Sequence, residues 1–168
     1  MLSDLRANGL IAGRKTNTEI LDYRRMLTLW CEAYPQRLRP KLLRGTFAHD
    51  DPFWWDQFDP RKIGALWGGE VAARLLVGYL KPANATLYYH GDITDLVRAA
   101  RLRKANEGVN VNVEVLEPFW KQEEAIDRPK TVDPLLVFAD LISVGDPRTL
   151  EAADLIYEQE IGRRFEQA

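Results

Sequence analysis

Two adjacent glycines, Gly68-Gly69, stand between the apolar pair Leu66-Trp67 and an apolar-periodic run that begins at Val71. Glycine lets the backbone take positive φ and lets another backbone or a ligand come close. The pair falls where a strand or turn passes into a helix, so Leu66 to Leu76 demands a fold with a sharp strand-to-helix corner. Such a corner has two readings. In one, Trp67, Gly68, Gly69 and Glu70 form a ligand loop, because a helix N-terminus presents free N–H groups to phosphate. In the other, the corner is a structural turn with no ligand.

The rest of the chain supplies elements around that corner. A short helix marked by Leu2 and Leu5 stops near Gly9, and Gly13 to Asn17 reads as a basic turn. Thr16 and Glu19 fit a capping box. Ile20, Tyr23, Leu27, Trp30 and Tyr34 recur at helical spacing, which predicts a helix over about residues 18–34. Pro35 and Pro40 predict its end and an extended basic linker over 36–44. Strands are predicted over Leu42–Phe47 and Ala85–Tyr89, and over Val109–Val115, where Val alternates with Asn and Glu. Helices are predicted over Val71–Tyr79, Thr94–Arg103 and Pro134–Val144. A last one is capped by Asp146 and lined by Leu150, Ala153, Tyr157, Ile161 and Phe165. The fold class is therefore α+β: a mixed sheet packed with helices, preceded by a helical N-terminal arm. With 168 residues and 46% hydrophobic content the chain suits one packed domain with an appendage.

Several function classes are excluded or weakened by composition. The single cysteine, Cys31, precludes an internal disulfide and a Cys-rich metal site. His49 and His90 lack ligand partners at metal-binding spacing, so no metal and no cofactor is expected. No apolar run approaches the roughly 20 residues that span a bilayer, and no signal peptide is legible, so the cytoplasm is the expected compartment. Residues 1–44 carry nine Lys/Arg against four Asp/Glu, whereas 45–168 carry 14 against 21. A basic arm on an acidic body suits a polyanion at one surface and a different partner at another. Arg14, Lys15, Arg37, Arg39, Lys41 and Arg44 are the candidate phosphate contacts, with Arg37 and Arg39 on one side of an extended 36–40. Phe53, Trp54, Trp55 and Phe58 read as a core or interface cluster, or as a base-stacking platform.

No nucleophile motif is present. Metal-dependent nucleotidyl transfer needs paired carboxylates to hold magnesium. The strand after the glycine pair offers Asp92 alone, leaving Glu70, Asp92 and Asp140 as the acids for such chemistry. No catalytic residue is therefore assigned, and the chain is expected not to be an enzyme.

Four segments in this order resemble the AbiEi-type antitoxins of the abortive-infection, type IV toxin–antitoxin class. They are Trp30 to Leu43 (WCEAYPQRLRPKLL), Leu66 to Leu80 (LWGGEVAARLLVGYL), Pro82 with Thr86-Leu87-Tyr88, and Val132 to Arg148 (VDPLLVFADLISVGDPR). The resemblance spans most of residues 17–160. It implies an N-terminal winged helix that binds DNA and represses the operon, joined to an α/β domain that counters a nucleotidyltransferase-like toxin. Residues 1–16 then correspond to a remnant of the winged helix, its last helix and wing, without the helices that precede them. Residues 17–44 are a helix and basic linker, and 45–168 are the antitoxin-like domain. DNA is expected as a partner of a complete winged helix rather than of this chain alone, and no membrane is expected. The alternative function is a degenerate nucleotidyltransferase-like or other nucleotide-acting enzyme.

Overall fold

The computed structural model describes residues 2–14, 17–105, 110–120 and 129–166, with only the backbone of Leu2, Arg14, Phe165 and Glu166. The chain opens with helix α1 (Leu2–Ala7), then strands β1 (Ile11–Arg14) and β2 (Asn17–Ile20). These two strands pair antiparallel from Ile11 against Ile20 to Arg14 against Asn17. Residues 17–20 are thus a strand, not the first turn of the long helix. Gly13 explains the close pairing: it holds φ +86°, and a Cβ there would stand 2.0 Å from the Asn17 carbonyl oxygen. The predicted cap at Thr16 lies outside the described residues. Asp22 caps instead, accepting the Arg25 N–H at 2.9 Å, and helix α2 runs Tyr23–Ala33.

The two prolines do not end this helix. The backbone continues through a π turn, Tyr34–Leu38, into α3 (Arg39–Leu42). Pro40 has no N–H to donate and crowds the carbonyl four residues back, so a widened turn is the geometry that keeps the helix going. The region expected to be an extended linker is therefore helical up to Leu42, and β3 (Leu43–Ala48) follows at once.

The main sheet has the order β4-β5-β7-β3-β6, with β4 (Leu66–Gly68), β5 (Ala85–Tyr88), β6 (Arg103–Lys104) and β7 (Val113–Leu116). Among the described strands of this sheet β5 and β7 pair parallel, and the pairs β4–β5, β3–β7 and β3–β6 are antiparallel. This is the expected mixed sheet in an α+β fold. β7 is shorter than the Val alternation predicts: Val109 lies outside the described residues, and 110–112 are irregular. There Asn112 bonds His49 with both ends of its amide, each at 2.9 Å. Such side-chain bonds compete with a regular ladder. The edge at β4 is closed by Trp67 donating to the Lys130 carbonyl and accepting from Val132, both at 2.8 Å.

Helices α5 (Gly69–Val77), α7 (Pro134–Val144) and α8 (Pro147–Ile156) pack on one another, with α5 against β4 and β5. Between them, α4 (Trp54–Gln57) and α6 (Ile93–Ala99) are short, the latter ending four residues before the predicted Arg103. In α8 the buried positions are Thr149, Ala152, Ala153 and Ile156, an i, i+3, i+4, i+7 stripe. Leu150 falls one position off that stripe and is 38% exposed, contrary to its expected inward placement. A second π turn, Tyr157–Ile161, leads into α9 (Gly162–Glu166).

One core spans the sheet and the long helix. Leu27, Cys31, Tyr34 and Leu42 are buried in the same cluster as Trp67, Leu87, Val115 and Leu141. The expected boundary at 16/17 also cuts across the β1–β2 hairpin. In the aromatic cluster, Trp54 is buried, stacked on His49 at 4.9 Å and edge-on to Trp67 at 5.3 Å, whereas Phe53 is 52% exposed. Trp54→Ala is expected to cost about 3–5 kcal/mol in urea unfolding. Phe53→Ala is expected to stay within about 0.5 kcal/mol. Equal losses would mean that the cluster is not organised around Trp54.

Candidate functional site

Helix α5 begins at Gly69, and its first free N–H finds an anion inside the protein. Gly69 donates to Asp140 Oδ2 at 3.2 Å. Asp140 comes from the middle of α7 and is 1% exposed. Its carboxylate also accepts from the Tyr34 hydroxyl at 2.8 Å, the Tyr88 hydroxyl at 3.0 Å and Arg39 Nε at 3.2 Å. The two tyrosine hydroxyls are 2.6 Å apart. Burial pushes the Asp140 pKa up, against the opposing pull of Arg39 and the two hydroxyls.

The π turn explains how Tyr34 and Arg39 both reach Asp140. Residues five apart diverge by roughly 140° on an α-helix. An i→i+5 turn, closed by the Arg39 N–H on the Tyr34 carbonyl, returns them to one face. Arg39 then reaches past Asp140, and its Nη2 donates to Glu114 Oε2 on β7 at 2.6 Å.

The glycine pair is held by space as well as by conformation. A Cβ on Gly68 would stand 2.5 Å from Tyr88 Cε2 and 2.9 Å from Asp140 Oδ2. Gly69 has φ +50°, and its Cβ would stand 2.7 Å from Thr86 Oγ1. Trp67 fills the core beside them. Glu70, 3% exposed, accepts from the Ala83 N–H, Asn84 Nδ2 and both Arg148 Nη atoms at 2.8 to 3.1 Å. The pair is therefore the point where β4, β5, α5 and α7 meet closely.

Of the six candidate phosphate contacts, Arg39 and Arg44 are engaged by partners within the protein. Arg39 points inward to Asp140 and Glu114. Arg44 donates to the Tyr89 and Gly91 carbonyls at 2.7 and 2.8 Å and pairs with Glu117 at 3.2 Å. Arg37 and Lys41 are exposed on the helical segment. They do not share a face with Arg39, because 36–40 is helical rather than extended. Arg14 ends β1 with its side chain outside the described atoms, and Lys15 lies outside the described residues.

The three acids considered for metal chemistry do not converge. Asp92 caps α6 through the Thr94 N–H at 2.7 Å, while Glu70 and Asp140 each face a guanidinium. Among the described residues no group of three or more His, Cys, Asp or Glu is placed to hold a metal ion. The residues that sequence reasoning missed are Tyr34, Tyr88, Glu114 and Arg148. Tyr34 and Tyr88 sit in the matched segments, but as apolar-periodic positions, and nothing in their spacing marks a hydroxyl partner.

A mixed sheet, a helix-and-hairpin N-terminus and this internally paired centre accompany the sequence of a toxin–antitoxin regulator. Residues 19–162 match the family described as transcriptional regulator, AbiEi antitoxin, type IV TA system, and the chain belongs to that family. No curated protein and no solved structure matches the chain.

The close approach at Gly68 leaves no room for a side chain. Gly68→Ala is expected to destabilise by about 1–3 kcal/mol in urea unfolding, since Tyr88 and Asp140 must both move. A stability equal to wild type would show that the corner has slack. Burial raises the Cys31 thiol to about 11 and raises both Tyr34 and Tyr88, the tyrosines further so by the nearby Asp140 charge. The folded state holds these protons more tightly than the unfolded chain, whose groups release them at about pH 9 to 10. Stability is therefore full below pH 9 and falls as pH rises above it. A flat melting temperature from pH 8.5 to 11 would contradict this.

Proposed function

We propose that residues 45–168 form the toxin-countering body of an antitoxin that performs no chemistry of its own, and that α1 with the β1–β2 hairpin is its DNA-facing part. The observation that carries the reading is the neutralisation of the glycine corner from within. The α5 N-terminus takes Asp140 as its anion, Asp140 and Glu114 share Arg39, and Glu70 is clamped by Arg148. A catalytic centre keeps its acids and its helix end available to substrate or metal. The order helix, strand and antiparallel strand over residues 2–14 and 17–20 is what a recognition helix followed by a wing would present. The counterpart is a nucleotidyltransferase-like toxin, and the compartment is the cytoplasm, where an operon regulator meets its DNA. Among the described residues no helix is long and apolar enough to cross a membrane.

Co-expression with the product of the neighbouring gene tests the antitoxin half. Growth restored by this chain is the expected result, and undiminished toxicity would defeat the reading. A mobility-shift titration tests the other half. Binding to operon DNA should weaken steeply as salt rises. No shift at low salt removes the DNA-facing role from this chain. Rescue of growth with no DNA binding would confine its function to the antitoxin body.

A further inference from the structure

One register of the main sheet is polar where its neighbours are apolar. Gly68 on β4 pairs with Thr86 on β5, Thr86 with Glu114 on β7, and Glu114 with Thr46 on β3. Partnered positions project to the same face of a sheet. On this face the row opens into a cavity of about 290 Å3 whose lining includes Thr86, Glu114, Asp140, Arg39 and Asn84. One buried polar side chain in this lining is without a partner. Thr86 is 6% exposed, and its hydroxyl makes no hydrogen bond among the described residues. The hydroxyl oxygen stays open to the cavity, so it is placed to bond a ligand atom there. Gly69 keeps that hydroxyl open, since a Cβ there would stand 2.7 Å from Thr86 Oγ1.

The charges around the cavity specify the ligand. Asp140 and Glu114 converge on one guanidinium, that of Arg39, so two carboxylates share one positive charge. Arg39 binds Glu114 through Oε2 alone. Asn84 donates its amide nitrogen to Glu70, and its carbonyl oxygen carries no bond among the described residues. The Thr86 hydroxyl, the second Glu114 oxygen and the Asn84 oxygen are all acceptors. Val111 and Val144, 39% and 51% exposed, also line the cavity. An anion meets the second Glu114 oxygen here, and the helix end that would attract it is already occupied by Asp140.

We propose that this cavity binds an ammonium or guanidinium group, its N–H donors on Thr86, Glu114 and Asn84 and its alkyl stem against Val111 and Val144. The group belongs to a free small amine or to a basic side chain of a partner protein, and the same pocket chemistry serves both. The proposal is independent of the antitoxin reading.

Isothermal titration calorimetry on the full chain decides it. The probes are ethylguanidinium, ethylammonium and the peptide acetyl-Gly-Arg-Gly-amide, with urea and sodium phosphate for comparison. Saturable binding of a cationic probe with Kd of about 1 mM or tighter is expected. Thr86→Val should weaken it about fivefold, and Glu114→Gln about tenfold. The unliganded Thr86→Val protein should melt within a few degrees of wild type, so that variant decides alone if Glu114→Gln, which frees Arg39, unfolds. A free probe that outbinds the peptide identifies a small amine; the reverse identifies a partner's side chain. No saturation by any cation, equal binding by Thr86→Val, or tighter binding of phosphate or urea overturns the proposal.

Discussion

The contact on which the rest of the structure depends is the buried carboxylate of Asp140. Four donors from three separate places in the chain reach it: Tyr34 and Arg39, Gly69, and Tyr88. A buried charge of this kind is tolerated only when it is paired and hydrogen-bonded. Each donor is consequently held to its place by the others. The π turn, the missing Cβ atoms at Gly68 and Gly69, and the placement of Tyr88 at the end of β5 are all conditions for satisfying one carboxylate.

The same contact joins the N-terminal helical segment to the sheet. Arg39 and Tyr34 sit on the stretch that follows the β1–β2 hairpin, while Glu114 and Tyr88 sit on central strands. Packing of Leu27, Cys31 and Leu42 adds an apolar bond to that polar one. The arm is therefore not a tether that swings freely from Tyr23 onward; its helix is a part of the body.

Much of the architecture was legible from pattern. The α5 and α7 helices and the β5 strand stand close to where periodicity and glycine or proline punctuation put them. Errors came where a local signal was overruled by a tertiary one. Thr16 and Glu19 fit a capping box, yet Gly13 lets residues 17–20 pair with 11–14 instead. Pro35 and Pro40 read as breakers, yet Asp140 draws Tyr34 and Arg39 together through a widened turn. Leu150 was placed inward by residue type, whereas the packed stripe of α8 is formed by its smaller neighbours. The basic run 37–44 illustrates the limit most clearly, because linear spacing cannot distinguish a guanidinium that faces solvent from one that faces a carboxylate a hundred residues away.

By itself the sequence determined the α+β class, the sharp corner at Gly68-Gly69 and the family to which the chain belongs, because these rest on local backbone constraints and on the order of segments. Only the tertiary structure decided what the corner is for. The free N–H of a helix end is visible in any sequence with such a corner, but the anion that meets it here is supplied by α7, some seventy residues further on. Asp140 in the linear chain is one acid in an apolar run. Its burial, its four donors and the open hydroxyl of Thr86 beside it exist only once α7 has packed against the start of α5.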